Sequence, residues 1–220
     1  SEKIIKNNIN GTKNLIDAIK DYHKIKKIIN IGSYLELLKL RKSDGKNWED
    51  YANAKSKQTE LMHEFGHKSG IPVSTLRLFN PYGNYESPGR LVCDIMIAMV
   101  KKEKLEIFSK TSEHNFYHIN DVIESVTKLI IDSQTNDKIF NLQTPNGISV
   151  ESMVNTAIKI ADSKIEITWK DENHRDTQVE YQEKNANDHI ISPITSLEDG
   201  LSETFVWYKK NISLYNQFGV

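Results

Sequence analysis

Apolar residues fall along this chain in two alternating rhythms. At 8–19, Ile9, Thr12, Leu15, Ile16 and Ile19 recur every three or four positions, which predicts a helix with one apolar face. Asn8 stands where a capping side chain would. Residues 26–32 instead form a nearly continuous apolar run, the pattern of a parallel strand covered on both faces. A polar stretch over 38–48, with a turn at Ser43-Asp44-Gly45, leads into a helix at about 51–68. Gly70 and Pro72 end it. A strand at 73–79 breaks at a turn, Asn80-Pro81-Tyr82-Gly83. The helix predicted at 90–102 carries Leu91, Val92, Ile95, Met96 and Met99. Strands at 105–108 and 115–119 precede a helix at 120–131. A strand at 139–142, a helix opened by Ser149 and running to 161, and a strand at 165–169 follow. Residues 171–190 are polar and read as irregular. The last helix covers 196–209, capped by Thr195 or Ser196. Strands alternating with helices give an α/β fold with a mostly parallel sheet.

Composition narrows the class. The 220 residues are enough for one sizeable core, or for a domain with a small lobe. With 29 basic and 30 acidic residues, net charge −1, nothing favours nucleic acid or a membrane surface as partner. No apolar run approaches the length of a membrane span, and residues 1–6 lack a signal-peptide core. The single Cys93 excludes an internal disulfide and fits a reducing cytoplasm, where it reads as a buried structural thiol. The seven His show no paired ligand spacing, so no metal site is expected.

The candidate chemistry centres on Tyr51-Ala52-Asn53-Ala54-Lys55. Side chains four apart on a helix stack on one face, here an ammonium one turn from a phenol. A neighbouring cation favours a phenolate, and such a tyrosine can pass a proton to or from an alcohol or sugar oxygen. Ser33 ends the strand at 26–32, at the carboxyl edge where open α/β sheets bind ligands. Asn80 lies at the end of the next strand, where it either hydrogen-bonds a ligand or only shapes the turn.

These signals in this order resemble the extended short-chain dehydrogenase/reductase family of nucleotide-sugar epimerases, dehydratases and ketoreductases. The carrying segments are Asn8-x-x-Gly11-Thr12-x-Asn14-Leu15, Gly32-Ser33, Tyr51-x-x-x-Lys55, Leu76 to Gly83, Asn115 to Val122, Phe140-Asn141-Leu142 with Ser149-Val150, and Thr195-x-Leu197-x-x-Gly200-Leu201 with Trp207-Tyr208. The resemblance covers only the family's carboxyl-terminal two-thirds. It implies a Rossmann-like doubly wound sheet without its first strands, followed by a small α/β substrate lobe. Residues 1–88 would form a partial cofactor and catalytic domain. Residues 89–220 would be mainly substrate lobe, with 115–145 returning to the sheet. It further implies that Ser33, Tyr51 and Lys55 are catalytic. Asn8, Tyr51, Lys55, Phe79, Asn80 and Tyr82 would meet NAD or NADP. Ser33, Asn80, Arg90, Leu91, His114 and Arg175 would meet a nucleotide sugar, with Arg175 either pairing with its diphosphate or lying on the surface. A homodimer through a helix pair including the Tyr51 helix is also implied.

The chain departs from the family pattern in three ways. It holds no Gly-x-Gly-x-x-Gly for the cofactor pyrophosphate. His114 and Asn115 stand where an Arg-Asp pair is usual. The strand at 26–32 lacks a preceding partner. The sequence therefore reads as a piece of a longer protein, or as one whose gap another segment or chain fills. Within the family, Gly32-Ser33-Tyr34-Leu35-Glu36 is more like the ketoreductase branch: dehydratases carry an acidic pair right after the catalytic Ser or Thr, where Tyr34 and Leu35 stand here. A 4-keto-6-deoxy-sugar reductase is thus expected, the alternatives being a nucleotide-sugar 4-epimerase or a non-catalytic module binding a nucleotide sugar or partner chain.

Overall fold

The structure is a computed structural model that describes residues 2–37, 46–170 and 188–218. In chain order the helices are α1 (Glu2–Ile5), α2 (Gly11–Ile19), α3 (Lys46–Ser69), α4 (Leu91–Lys101), α5 (Ile119–Ile131), α6 (Val150–Ala161) and α7 (Leu197–Asn211). The strands are β1 (Ile28–Ser33), β2 (Val73–Leu78), β3 (Asn80–Tyr82), β4 (Leu105–Phe108), β5 (Glu113–His114), β6 (Phe116–His118), β7 (Ile139–Leu142), β8 (Ile148–Ser149), β9 (Ile167–Lys170) and β10 (Asp188–Ile191).

The chain forms two compact units. Ser1–Phe79, Ile123–Leu142 and Thr177–Ile191 build the first; Asn80–Val122, Gln143–Asp176 and Ser192–Val220 build the second. The first unit holds a four-stranded, wholly parallel sheet in the order β1-β2-β7-β10, the parallel sheet expected from the alternation of strands and helices. Ile28 to Ser33 lie opposite Val73 to Leu78 residue for residue. β2 is the best covered strand: Val73, Ser74, Thr75 and Leu76 are all fully buried. Helix α3 lies against β1 and β2, and buries Ala52, Ala54, Met62 and Phe65.

Three local readings need correction. Asn8 does not cap a helix. It sits in a π-helical turn, Lys6–Asn10, between α1 and α2, and its Nδ2 donates to the Ile4 carbonyl at 3.0 Å. Residues 80–82 are not a turn but a short strand, parallel to β6. The Asn80 N–H donates to the Asn115 carbonyl, and Pro81 is tolerated in so short a ladder. Gly83 then takes φ +145°, and a Cβ there would come within 2.6 Å of Ile119 Cγ2. The stretch 171–190 is not irregular to its end, because Asp188–Ile191 is β10, paired with β7.

The second unit packs α4, α6 and α7 around one apolar core. Val92, Ile95, Met96 and Met99 meet Val150, Met153, Val154 and Ala157, with Leu201 and Tyr208 from α7. Cys93 is a free thiol inside this core. Ser149 and Ser196 cap their helices, each Oγ accepting the N–H three residues on at 3.1 Å. Short pairs β3-β6, β4-β9 and β5-β8 complete the unit.

One acid in this unit is strongly perturbed. The Glu86 carbonyl accepts from the Tyr215 and Tyr208 hydroxyls, and the Glu86 side chain is only 13% exposed. Burial pushes the Glu86 carboxyl up to about 7, against a pull downward from Arg90. A raised acid favours the folded state only while it stays protonated. Its contribution is complete below the unfolded value of 4.5 and is lost as pH rises through about 7. Glu86→Gln is therefore expected to match the wild type in urea unfolding near pH 4 and to exceed it at about pH 8.

Candidate active site

The carboxyl end of β1 is tied down by a single acid. Ser33 closes the strand, and a 3-10 turn, Tyr34–Leu37, follows at once. Glu36 in that turn accepts from the Ser33 N–H at 2.8 Å through Oε1 and from Arg77 Nε at 2.9 Å through Oε2. Arg77 lies on β2, opposite Gly32. Both side chains are almost wholly buried, 2% exposed for Glu36 and 8% for Arg77. Gly32 makes room for this pair: a Cβ would lie 2.7 Å from Glu36 Oε1 and 3.0 Å from both Arg77 Cγ and Thr75 Cγ2. Ser33 is held in turn, its Oγ accepting from the Leu35 N–H at 3.3 Å.

Helix α3 carries Tyr51 and Lys55, and brings Lys55 to the same strand. Lys55 is buried, and its Nζ donates to the Ile31 carbonyl, two residues before Ser33, at 2.7 Å. A second N–H goes to Gln58 Oε1, also at 2.7 Å. Burial lowers the Lys55 amine below its ordinary 10.5, opposed by the nearby charge of Glu36. Tyr51 is half-buried one helical turn earlier. Behind Lys55 the polar contacts continue. Gln58 Nε2 donates to Asn30 Oδ1 at 2.9 Å, and Asn30 Nδ2 donates to Thr59 and Thr75 at 3.1 Å each. Thr75 Oγ1 is 2.9 Å from His63 Nε2, and burial lowers His63.

The other expected site residues are distributed as follows. Phe79 belongs to the first unit, where its buried ring stacks on Tyr34 at 5.3 Å between centroids. Asn80, Tyr82, Arg90, Leu91 and His114 belong to the second unit. Tyr82 is buried, and burial raises its hydroxyl well above the usual range. A Cβ on Gly200 would collide with the Tyr82 hydroxyl, so α7 approaches this ring closely. Arg90 precedes the first residue of α4, Leu91, and is exposed, with Nε 3.6 Å from Glu86. Burial lowers His114, which stands edge-on to Phe116 at 5.6 Å. Arg175 lies outside the described residues. Among the described residues no cluster of three His, Cys, Asp or Glu could hold a metal, and no helix is long and apolar enough to cross a membrane.

Sequence reasoning missed Glu36, Arg77, Gln58 and Asn30. Arg77 did carry a signal. A cation inside a buried central strand requires a buried counter-charge, and Glu36 is the first acid after Ser33.

A model of the NAD dependent epimerase/dehydratase family matches residues 1–142. UDP-glucuronate 4-epimerase of Thermodesulfobacterium geofontis is 23% identical over 230 residues, covering 98% of this chain and 69% of that protein. Among solved structures, UDP-glucose 4-epimerase of Thermotoga maritima with UDP-glucose superposes with a TM-score of 0.76 at 21% identity, over 94% of this chain and 71% of that one. The dTDP-glucose 4,6-dehydratase of Bacillus anthracis in complex with NAD gives 0.75 at 18% identity, over 97% and 71%. Three further curated relatives are spanned for half their length or less, down to 33%.

Removing the Glu36 carboxylate from beside a buried guanidinium costs about 3–5 kcal/mol. Glu36→Ala should lower the denaturant midpoint accordingly. Glu36→Ala combined with Arg77→Met should recover most of the loss, read as a coupling energy in a double-mutant cycle.

Proposed function

Because the chain belongs to the NAD dependent epimerase/dehydratase family, we propose that it serves as an NAD(P)-dependent nucleotide-sugar oxidoreductase, and within that class as a reductase of 4-keto-6-deoxy sugars. The observation that carries the finer reading is the turn after Ser33. Tyr34 stacks on Phe79 and Leu35 is buried, at the two positions where a dehydratase would present acids. The first carboxylate after Ser33, Glu36, is engaged by Ser33 and Arg77. That leaves no free acid in the turn to take part in water elimination, and supports reduction or epimerisation at C4.

The donor set at the end of β1 fits a nicotinamide ribose and a carbonyl oxygen. Lys55 has three N–H bonds, and two are committed to Ile31 and Gln58. The third suits a ribose hydroxyl, with Asn8, Phe79, Asn80 and Tyr82 proposed as further cofactor contacts. A bound nicotinamide ring would supply hydride transfer. Tyr51 gives its proton to the sugar oxygen as charge develops there, and the Ser33 hydroxyl donates to the same oxygen. The Lys55 ammonium stabilises the phenolate that remains. Asn80, Arg90, Leu91, His114 and Arg175 are proposed to hold the nucleotide sugar. Being lowered by burial, His114 would meet a phosphate at neutral pH as an uncharged hydrogen-bonding ring.

The decisive assay is turnover of a nucleoside-diphosphate 4-keto-6-deoxy sugar with NADH or NADPH, followed by loss of reduced-cofactor absorbance. Tyr51→Phe should lower kcat about 10²–10⁴-fold while nucleoside-diphosphate binding, read by calorimetry, stays unchanged. Full activity in Tyr51→Phe would reject the assignment. Interconversion of two C4 epimers without net cofactor oxidation would place the chain with the epimerases. Diphosphate binding without turnover by the wild type would make it a binding module.

A further inference from the structure

A buried lysine ordinarily finds a carboxylate. Lys55 instead donates to two neutral oxygens, the Ile31 carbonyl and Gln58 Oε1, with Glu36 acting on it only through its field. The hydrogen-bond inventory then fixes the sense of the whole chain behind it. An ammonium only donates, so Gln58 must turn its oxygen toward Lys55 and its NH2 toward Asn30 Oδ1. Asn30 must in turn present its NH2 to the threonines, whose hydroxyl oxygens accept. Thr75 can then donate to His63 Nε2, the accepting sense of that contact. Asn30 is almost fully buried between β1, β2 and α3 and cannot rearrange toward water.

We propose that Gln58, oriented by Asn30, is a positioning residue for Lys55: it fixes the ammonium at the β1 end with two donors engaged and one directed to the ligand. This rests on the role given to Lys55 above. Gln58 touches no substrate in this scheme and acts only through the lysine. Losing it would let the Lys55 side chain sample other rotamers, so that a charge-assisted bond of defined direction is replaced by a mobile one.

The experiment follows the Lys55 amine in the full chain carrying ¹³C-labelled lysine, with the resonance assigned by its absence in Lys55→Met. Gln58→Met keeps length and removes the acceptor. It should lower the Lys55 proton affinity further, by about tenfold. Gln58→Glu supplies a charged acceptor at the same place and should raise it above wild type. Glu36, the carboxylate facing Lys55 from the β1 turn, is constant throughout. With a 4-keto sugar substrate, Gln58→Met should reduce kcat about tenfold with KM little changed. Unchanged Lys55 titration in both folded variants, with only a loss of thermal stability, would reduce Gln58 to packing and overturn the proposal. Should Gln58→Met fail to fold, a wild-type titration in Gln58→Glu would overturn it alone. If wild type shows no turnover but the two opposite shifts appear, the positioning stands and the reductase reading fails.

Discussion

One carboxylate joins the carboxyl end of β1 to that of β2. The two oxygens of Glu36 divide the bonding between them, one taking the Ser33 backbone N–H and the other the Arg77 guanidinium. A guanidinium buried in β2 carries a desolvation cost of several kcal/mol, which a well-aligned carboxylate helps to offset. Ser33 is the last residue of β1, and Glu36 satisfies its N–H where the strand gives way to the turn. The same interaction requires residue 32 to be Gly, since the pair fills the volume of a Cβ. A fold constraint thus sets the position of a hydroxyl to which the proposed chemistry gives a role.

The charged and polar groups around this point form two sets with different partners. Glu36 and Arg77 form an ion pair that is almost wholly buried. Lys55 belongs to a set of neutral amides and hydroxyls reaching through Gln58 and Asn30 to the threonines. Had Lys55 been paired directly with a carboxylate, its charge would have been largely neutralised by that partner. Neutral acceptors direct the ammonium without neutralising it. Burial also lowers the amine, and Glu36 acts against that shift at a distance.

β1 was legible from Ile28, Ile29 and Ile31, and β2 from Val73, Leu76 and Leu78 with the β-branched Thr75 among them. β10 was not legible: Asp188 and His189 lead a four-residue strand whose only apolar part is Ile190-Ile191. That pattern becomes a strand only when β7 offers a partner edge. Asn80-Pro81 has the chemistry of a turn, yet pairing with β6 overrides it. Tyr51, Lys55 and Ser33 stand out by spacing and family resemblance. Their supports do not, because each looks ordinary on its own element. Asn30 reads as an interruption in an apolar run, Gln58 as solvated helix surface, and Thr59 and Thr75 as neutral filler. Only the register of β1 against β2, and of α3 across both, makes them one set.

The four-stranded sheet is assembled from three separated stretches of chain, and its last strand is encoded after residue 187. During synthesis β1 and β2 can pair early, once α3 has crossed over. β7 joins after the intervening segment has emerged, and its outer edge then stays open while several dozen further residues are translated. The nascent protein therefore passes through an obligatory interval with an unsaturated sheet margin on the ribosome, the interval in which a holdase chaperone would find it.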